Sequence, residues 1–141
     1  MVDKTLVMRK LSELEEYLNQ VREFSSITLQ EYTDNWKTQR IIERTLQLMI
    51  ELCTDIAGHL ISSERLRVPT SYADTFKVLL EGNLIDPSLY QVMERMAKFR
   101  NIVVHHYDKI DESIVVTILR EHLDDFLLFR DAILKILKPK N

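Results

Sequence analysis

Glycine occurs twice in this chain of 141 residues, and proline three times. With only Gly58 and Gly82 to draw on, neither a P-loop nor a dinucleotide fingerprint can be written, because both need several glycines to bring backbone amides against phosphate. The same scarcity argues against a turn-rich β protein and for long uninterrupted helices. Cysteine occurs once, at Cys53, so no internal disulfide can form and multi-cysteine zinc sites are excluded. Cys53 falls on an apolar helical stripe and reads as a small core residue, a usage that suits a reducing compartment. The Glu-x-x-His pairs of ferritin-like dimetal sites are missing, since Ile56, Ile102, Val103 and Leu119 stand three before the four histidines. No cofactor is expected. No window approaches the roughly 18 apolar residues needed to span a bilayer. The opening MVDKTLVMRKL lacks the apolar run of a secretion signal. A soluble, cytoplasmic protein is expected, with no membrane partner. The net charge of -3 leaves no strong overall field to hold nucleic acid, so such a role has to rest on a local basic patch or a partner chain.

What the sequence does have is helical periodicity. Val7, Leu11, Leu14, Leu18 and Val21 recur at spacings of four and three, which predicts a helix from Asp3 to Phe24 with Asp3 as its cap. Thr28 can cap a short helix through Tyr32. A second long helix is predicted over Asp34 to Ser63, with Ile42, Leu46, Met49, Cys53, Ile56 and Leu60 as one stripe of a wide apolar face. Pro69 breaks the chain. A helix over Tyr72 to Leu80 follows, closed by Gly82 and Asn83. Asp86 and Pro87 open the next helix, whose stripe is Leu89, Val92, Met96, Phe99 and Val103. The last helix is predicted from Asp111 to about Leu137 as one piece, with Val115, Leu119, His122, Phe126, Phe129, Ile133 and Ile136 on its seam. The expectation is one all-α domain over residues 1–141, an up-and-down bundle of about five to six helices.

Outside the stripes, Arg40, Glu43, Arg44, Gln47, Glu51 and Asp55 line the polar face of the second long helix. They make a solvated charged face, or else Arg40 or Arg44 lines a ligand groove. Tyr32 and Trp36 are one turn apart and read as core or as an interface patch. Asp55 and His59 can share a surface hydrogen bond. His122 is expected half-buried with a hydrogen-bond partner.

The stretch FRNIVVHHYDKID, Phe99 to Asp111, carries the densest chemistry. At 100° per residue, Asn101 and His105 point nearly opposite the core, and Arg100 lies at the flank, where its long side chain can swing outward. Ile102, Val103 and Val104 face three directions, which one core cannot bury together, so a homodimer packed around this helix is expected. Two Arg100 and two His105 would then face one cleft. A guanidinium fits phosphate, and a histidine exchanges protons near neutral pH. That pairing suits metal-free RNA cleavage by the RNA's own 2′-hydroxyl. A plain helix C-terminus, with histidines at the negative end of the dipole, uses the same residues.

RNIVVHHY fits Arg-x-x-x-x-His-x-Tyr, with Arg100, His105 and Tyr107 at the fixed places. It resembles the signature of the HepT-like toxins in the HEPN superfamily of helical ribonucleases. The likeness extends from about Trp36 to Tyr107, through QRIIERTLQLMIELCTDIAGHLIS and SYADTFKVLLEGNLIDPSLYQVMERMAKFRN. The resemblance implies a HEPN-type homodimer and a metal-independent endoribonuclease toxin with a composite cleft. Arg100 and His105 would be its catalytic pair and Asn101 a supporting residue. It also implies a minimal nucleotidyltransferase antitoxin that can transfer AMP to Tyr107. Such a group adds negative charge and bulk beside the cleft. The rival reading is a noncatalytic helical module that binds the nucleotidyltransferase. A third is a nucleic-acid-binding regulator using the Arg100 patch.

Overall fold

The computed structural model describes residues 2–139 and is entirely helical over them, apart from turns and connections. Helix α1 covers Lys4–Val21 and buries Val7, Leu11, Leu14, Leu18 and Val21, the stripe its spacing predicts. The Asp3 side chain accepts from the Leu6 amide at 3.1 Å and caps it. Helix α2, Leu29–Thr33, starts in a capping box between Thr28 and Glu31. Helix α3, Trp36–Ser63, is capped by Asn35, and Asp34 instead terminates α2. Helices α4, Tyr72–Glu81, and α5, Pro87–His105, are capped by Ser71 and Asp86. Helix α6, Glu112–Thr117, is capped by Asp111, and α7 covers Asp124–Leu137.

Helix α3 runs through the middle. It packs on α1 along one flank and on α4 and α5 along the other, while α7 closes the bundle against α1 and α5. Helix α2 lies across α3 and α6. One contiguous core results, in which Phe76 and Phe129 meet edge to face at 6.0 Å between ring centres.

One expectation about local geometry is corrected. The final helix is not one piece, because residues Ile118–His122 form a π-helical segment between α6 and α7. A π segment admits one extra residue, which moves the following side chains about 100° around the axis. His122 therefore leaves the seam, and Leu123 takes its place at 3% exposure. At the far end Leu137 is buried and Ile136 only partly. The end of α4 closes as expected, with Gly82 as its cap and Asn83 after it. The left-handed residue is Asn83, at φ 60°, while Gly82 keeps an ordinary negative φ. Gly82 is needed for space, since a Cβ there would meet a Leu66 methyl at 2.8 Å.

Cys53 is fully buried, and burial pushes its thiol far above the usual range. Alkylation by iodoacetamide at pH 8 should be undetectable in the folded protein and complete in denaturant, followed by intact mass.

Candidate active site

The site is assembled from three helices. At the end of α3 the chain turns through Arg65, at φ 55°, and the Leu66 amide donates back to the Ile61 carbonyl at 3.0 Å. Arg67 then grips α4. Its Nη1 and Nη2 donate to the two oxygens of Asp74, and its Nε to Glu81, all at 2.8 Å. The Arg67 guanidinium and the Thr70 amide hold the Asp74 carboxyl well below the usual carboxylate range. This clamp sets the first turn of α4, and with it Tyr72.

Tyr72 is the floor of the site. The Arg100 guanidinium lies 3.9 Å from its ring centre, in cation–π contact. Arg100 Nε donates to Glu51 Oε2 at 2.9 Å, and Nη2 lies 2.8 Å from the same oxygen. Nη1 donates to Asn101 Oδ1 at 3.2 Å. Gln47 Nε2 also donates to Glu51 Oε2, at 3.1 Å. The arginine expected to swing outward is thus folded inward, at 9% exposure. Desolvating a guanidinium is costly unless a carboxylate and further hydrogen bonds accept it, and Glu51, Asn101 and Tyr72 supply both conditions. Glu51 and Tyr72 escaped the sequence reading. Glu51 was one member of a charged helical face, and nothing local ties it to a partner 49 positions away.

Asn101 is half-buried, and His105 is exposed at the last residue of α5. His105 stands five positions after Arg100, about 7.5 Å of helical rise. The helix stops there because His106 leaves helical geometry, at φ −141° and ψ 44°, while its amide still donates to Ile102 at 2.8 Å. Tyr107 opens a short 3-10 turn and is 65% exposed. Ile102 is exposed, Val103 buried and Val104 half-buried, so the three apolar residues do face different surroundings.

Other candidates lie elsewhere. His122 Nδ1 is 3.2 Å from Asp125 Oδ2, and both line a groove of about 230 Å³ with Arg95, Phe99, Ser113 and Thr117. None of Arg100, Asn101 or His105 borders that groove. Asp55 pairs with Lys10 at 3.6 Å rather than with His59. Tyr32 is fully buried, its hydroxyl donating to Glu43 at 3.4 Å, whereas Trp36 is 64% exposed on the next helix. Among the described residues, no three His, Cys, Asp or Glu side chains converge as a metal site.

The sequence profile described as Ribonuclease HepT-like matches residues 14–133, and the chain belongs to the HepT-like ribonuclease family. It is 35% identical over 103 residues to the mRNA nuclease HepT of Shewanella oneidensis, covering 73% of this chain and 77% of that protein. It is 28% identical over 130 residues to the tRNA nuclease HepT of Aphanizomenon flos-aquae, covering 91% and 87% of the two chains. Its fold superposes with a TM-score of 0.85 on the tri-AMPylated Shewanella oneidensis HEPN toxin, solved in complex with its MNT antitoxin. That match has 29% identity and covers 96% of this chain and 99% of the toxin.

The Arg100–Glu51 pair can be tested as a unit. Glu51→Ala should lower unfolding stability by about 1–3 kcal/mol, because it strands a buried guanidinium. Arg100→Ala in the same background should cost much less than it does alone. Urea melts of the double-mutant cycle measure the coupling, and purely additive losses would contradict the pair.

Proposed function

We propose that the chain is a metal-independent endoribonuclease and the toxin of a toxin–antitoxin pair, with Arg100 and His105 as its catalytic residues. The observation that carries this reading is the contrast between the two. Arg100 is fixed on three sides by Glu51, Asn101 and Tyr72, while His105 stands free in solvent one and a half turns on. A held cation suits charge stabilisation, and an accessible imidazole suits proton transfer. In the reaction the RNA 2′-oxygen attacks the adjacent phosphorus as a base removes its proton. The bond to the 5′-oxygen breaks, that oxygen takes a proton, and a 2′,3′-cyclic phosphate is left. Arg100 stabilises the charge of the phosphorane, and Asn101 keeps Nη1 in line.

The chemistry needs both a base and an acid. In a homodimer packed through Ile102 and Val104, two His105 side chains would meet in one cleft and could divide those roles. The partner that restrains this activity would be a minimal nucleotidyltransferase, as in the complex of the Shewanella toxin. It would modify Tyr107, which is 65% exposed two residues beyond His105. The noncatalytic alternative, a module that only binds the nucleotidyltransferase, keeps the fold and loses the chemistry.

Purified protein should cleave RNA in the presence of EDTA and leave cyclic phosphate ends. Arg100→Ala and His105→Ala should each lower the rate by at least about 100-fold, within the range for a catalytic proton carrier or a charge-stabilising donor. Intact RNA with wild-type protein, alongside preserved binding of the nucleotidyltransferase, would establish the noncatalytic module instead. Incubation with the nucleotidyltransferase and ATP should add AMP to wild type but not to Tyr107→Phe, read by intact mass, and should suppress cleavage. Light scattering at micromolar concentration should give twice the chain mass; a monomer there would exclude the shared cleft.

A further inference from the structure

Trp36 is the only tryptophan in the chain, and it lies 64% exposed at the first residue of α3. It belongs to a stripe. Trp36, Arg40, Arg44, Gln47 and Glu51 recur at spacings of four, four, three and four, so they share about 80° of the helix circumference. The stripe ends in the site, because Gln47 and Arg100 donate to the same oxygen of Glu51.

The charges along it are unevenly engaged. Lys37 lies with its ammonium 5.8 Å from the centre of the Trp36 ring. Arg40 pairs with Glu43 at 3.4 Å but keeps 56% of its side chain in solvent. Arg44 is exposed and, among the described residues, has no carboxylate within ion-pair distance. Of the acidic side chains nearest in sequence, Glu43 is the one that pairs with the stripe, through Arg40. Glu31 closes the capping box of α2, Asp34 accepts from Gln30 at 2.9 Å, and Glu43 is buried beneath Tyr32.

We propose that this stripe is the substrate track of the site: Trp36 stacks on a base of single-stranded RNA, and Lys37, Arg40 and Arg44 hold the phosphates that follow toward Arg100. The inference rests on the ribonuclease reading above. From Trp36 to Glu51 the track is about 22 Å long, room for several nucleotides of extended strand. An aromatic platform beside a row of cations is how proteins hold single strands without reading their sequence. A protein-docking face would call for contiguous apolar area around the tryptophan. Here Ile41, 54% exposed, is its nearest apolar companion on α3, and the stripe itself continues with cations.

The single tryptophan makes the test direct. Full-length protein carrying His105→Ala is titrated with a short, unstructured single-stranded RNA of mixed sequence. Trp36 emission should fall as the RNA binds. Trp36→Ala in that background should weaken binding about tenfold or more, the effect of losing one stacked base. Arg44→Ala should weaken it and reduce the salt dependence by about one released ion. Arg9→Ala, an exposed cation on α1, should leave binding as it was. In the otherwise wild-type enzyme, Trp36→Ala should raise KM far more than it alters kcat. The proposal is overturned if RNA is bound and cleaved equally well by Trp36→Ala and Arg44→Ala, with Trp36 emission unmoved. It is also overturned if that emission responds to the nucleotidyltransferase or to dilution of the protein, and not to RNA. If no variant binds RNA and the wild type cleaves none, the ribonuclease reading fails first and the track falls with it.

Discussion

The apolar face of α3 is too wide for one neighbour to cover. Ile42, Leu46, Met49, Ile50, Cys53, Ile56, Ala57 and Leu60 are all buried at 1% exposure or less, with Leu52 and Ile61 beside them. A face this broad needs helices on both flanks, and the chain supplies α1 on one and α4 and α5 on the other. What this leaves of α3 is a narrow polar strip. Glu51 sits on that strip, beside the helices that bring Tyr72 and Arg100. The position of the site thus follows from the covering of α3. Burial fixes the helices, and the helices bring a carboxylate, an aromatic ring and an arginine to one edge.

Burying Arg100 has an energetic consequence and a chemical one. Removing a guanidinium from water costs several kcal/mol unless it is paired, so the Glu51 contact is a condition of the fold at that point as well as a feature of the site. Once paired and stacked, the cation has little freedom left. A charge that is already oriented need not reorganise when charge develops nearby, which is where electrostatic stabilisation gains most. His105 has the opposite environment, at a helix end and in solvent. In the proposed reaction that access lets His105 exchange protons with solvent.

The helices were legible in the sequence because their signals are local. Apolar spacing identified the buried residues of α1 one by one, and Asp3, Thr28, Asp86 and Pro87 stood where the caps are. The π segment was not legible. His122 and Leu123 both fit a plausible seam, and the choice between them depends on where one extra residue enters the helix, which packing decides. The exposure of His105 agrees with helical phase, and Tyr107 lies exposed two residues beyond it. The buried half of the site was not legible. Arg100 looked free because its carboxylate lies 49 positions earlier on another helix, and its aromatic floor opens a third. Helical phase reports the direction of a Cβ, whereas a long side chain goes where its charge is best compensated.

The formal charge of -3 looks unsuited to holding RNA. The quantity that matters is local, because at about 0.1 M salt a charge is screened beyond roughly 10 Å. Many acidic side chains are committed to structural pairs: Asp74 and Glu81 to Arg67, Glu15 to Arg130, Asp124 to Arg22, Asp55 to Lys10. Each such pair adds nothing to the net sum and little to the field at a distance, so the field at any face is set by the charges left unpaired there. The first two and a half turns of α3 differ from the chain average: they carry Lys37, Arg40 and Arg44, and their one carboxylate, Glu43, is buried against Tyr32 and Arg40. A phosphate passing over that surface meets cations first, whatever the sign of the whole chain.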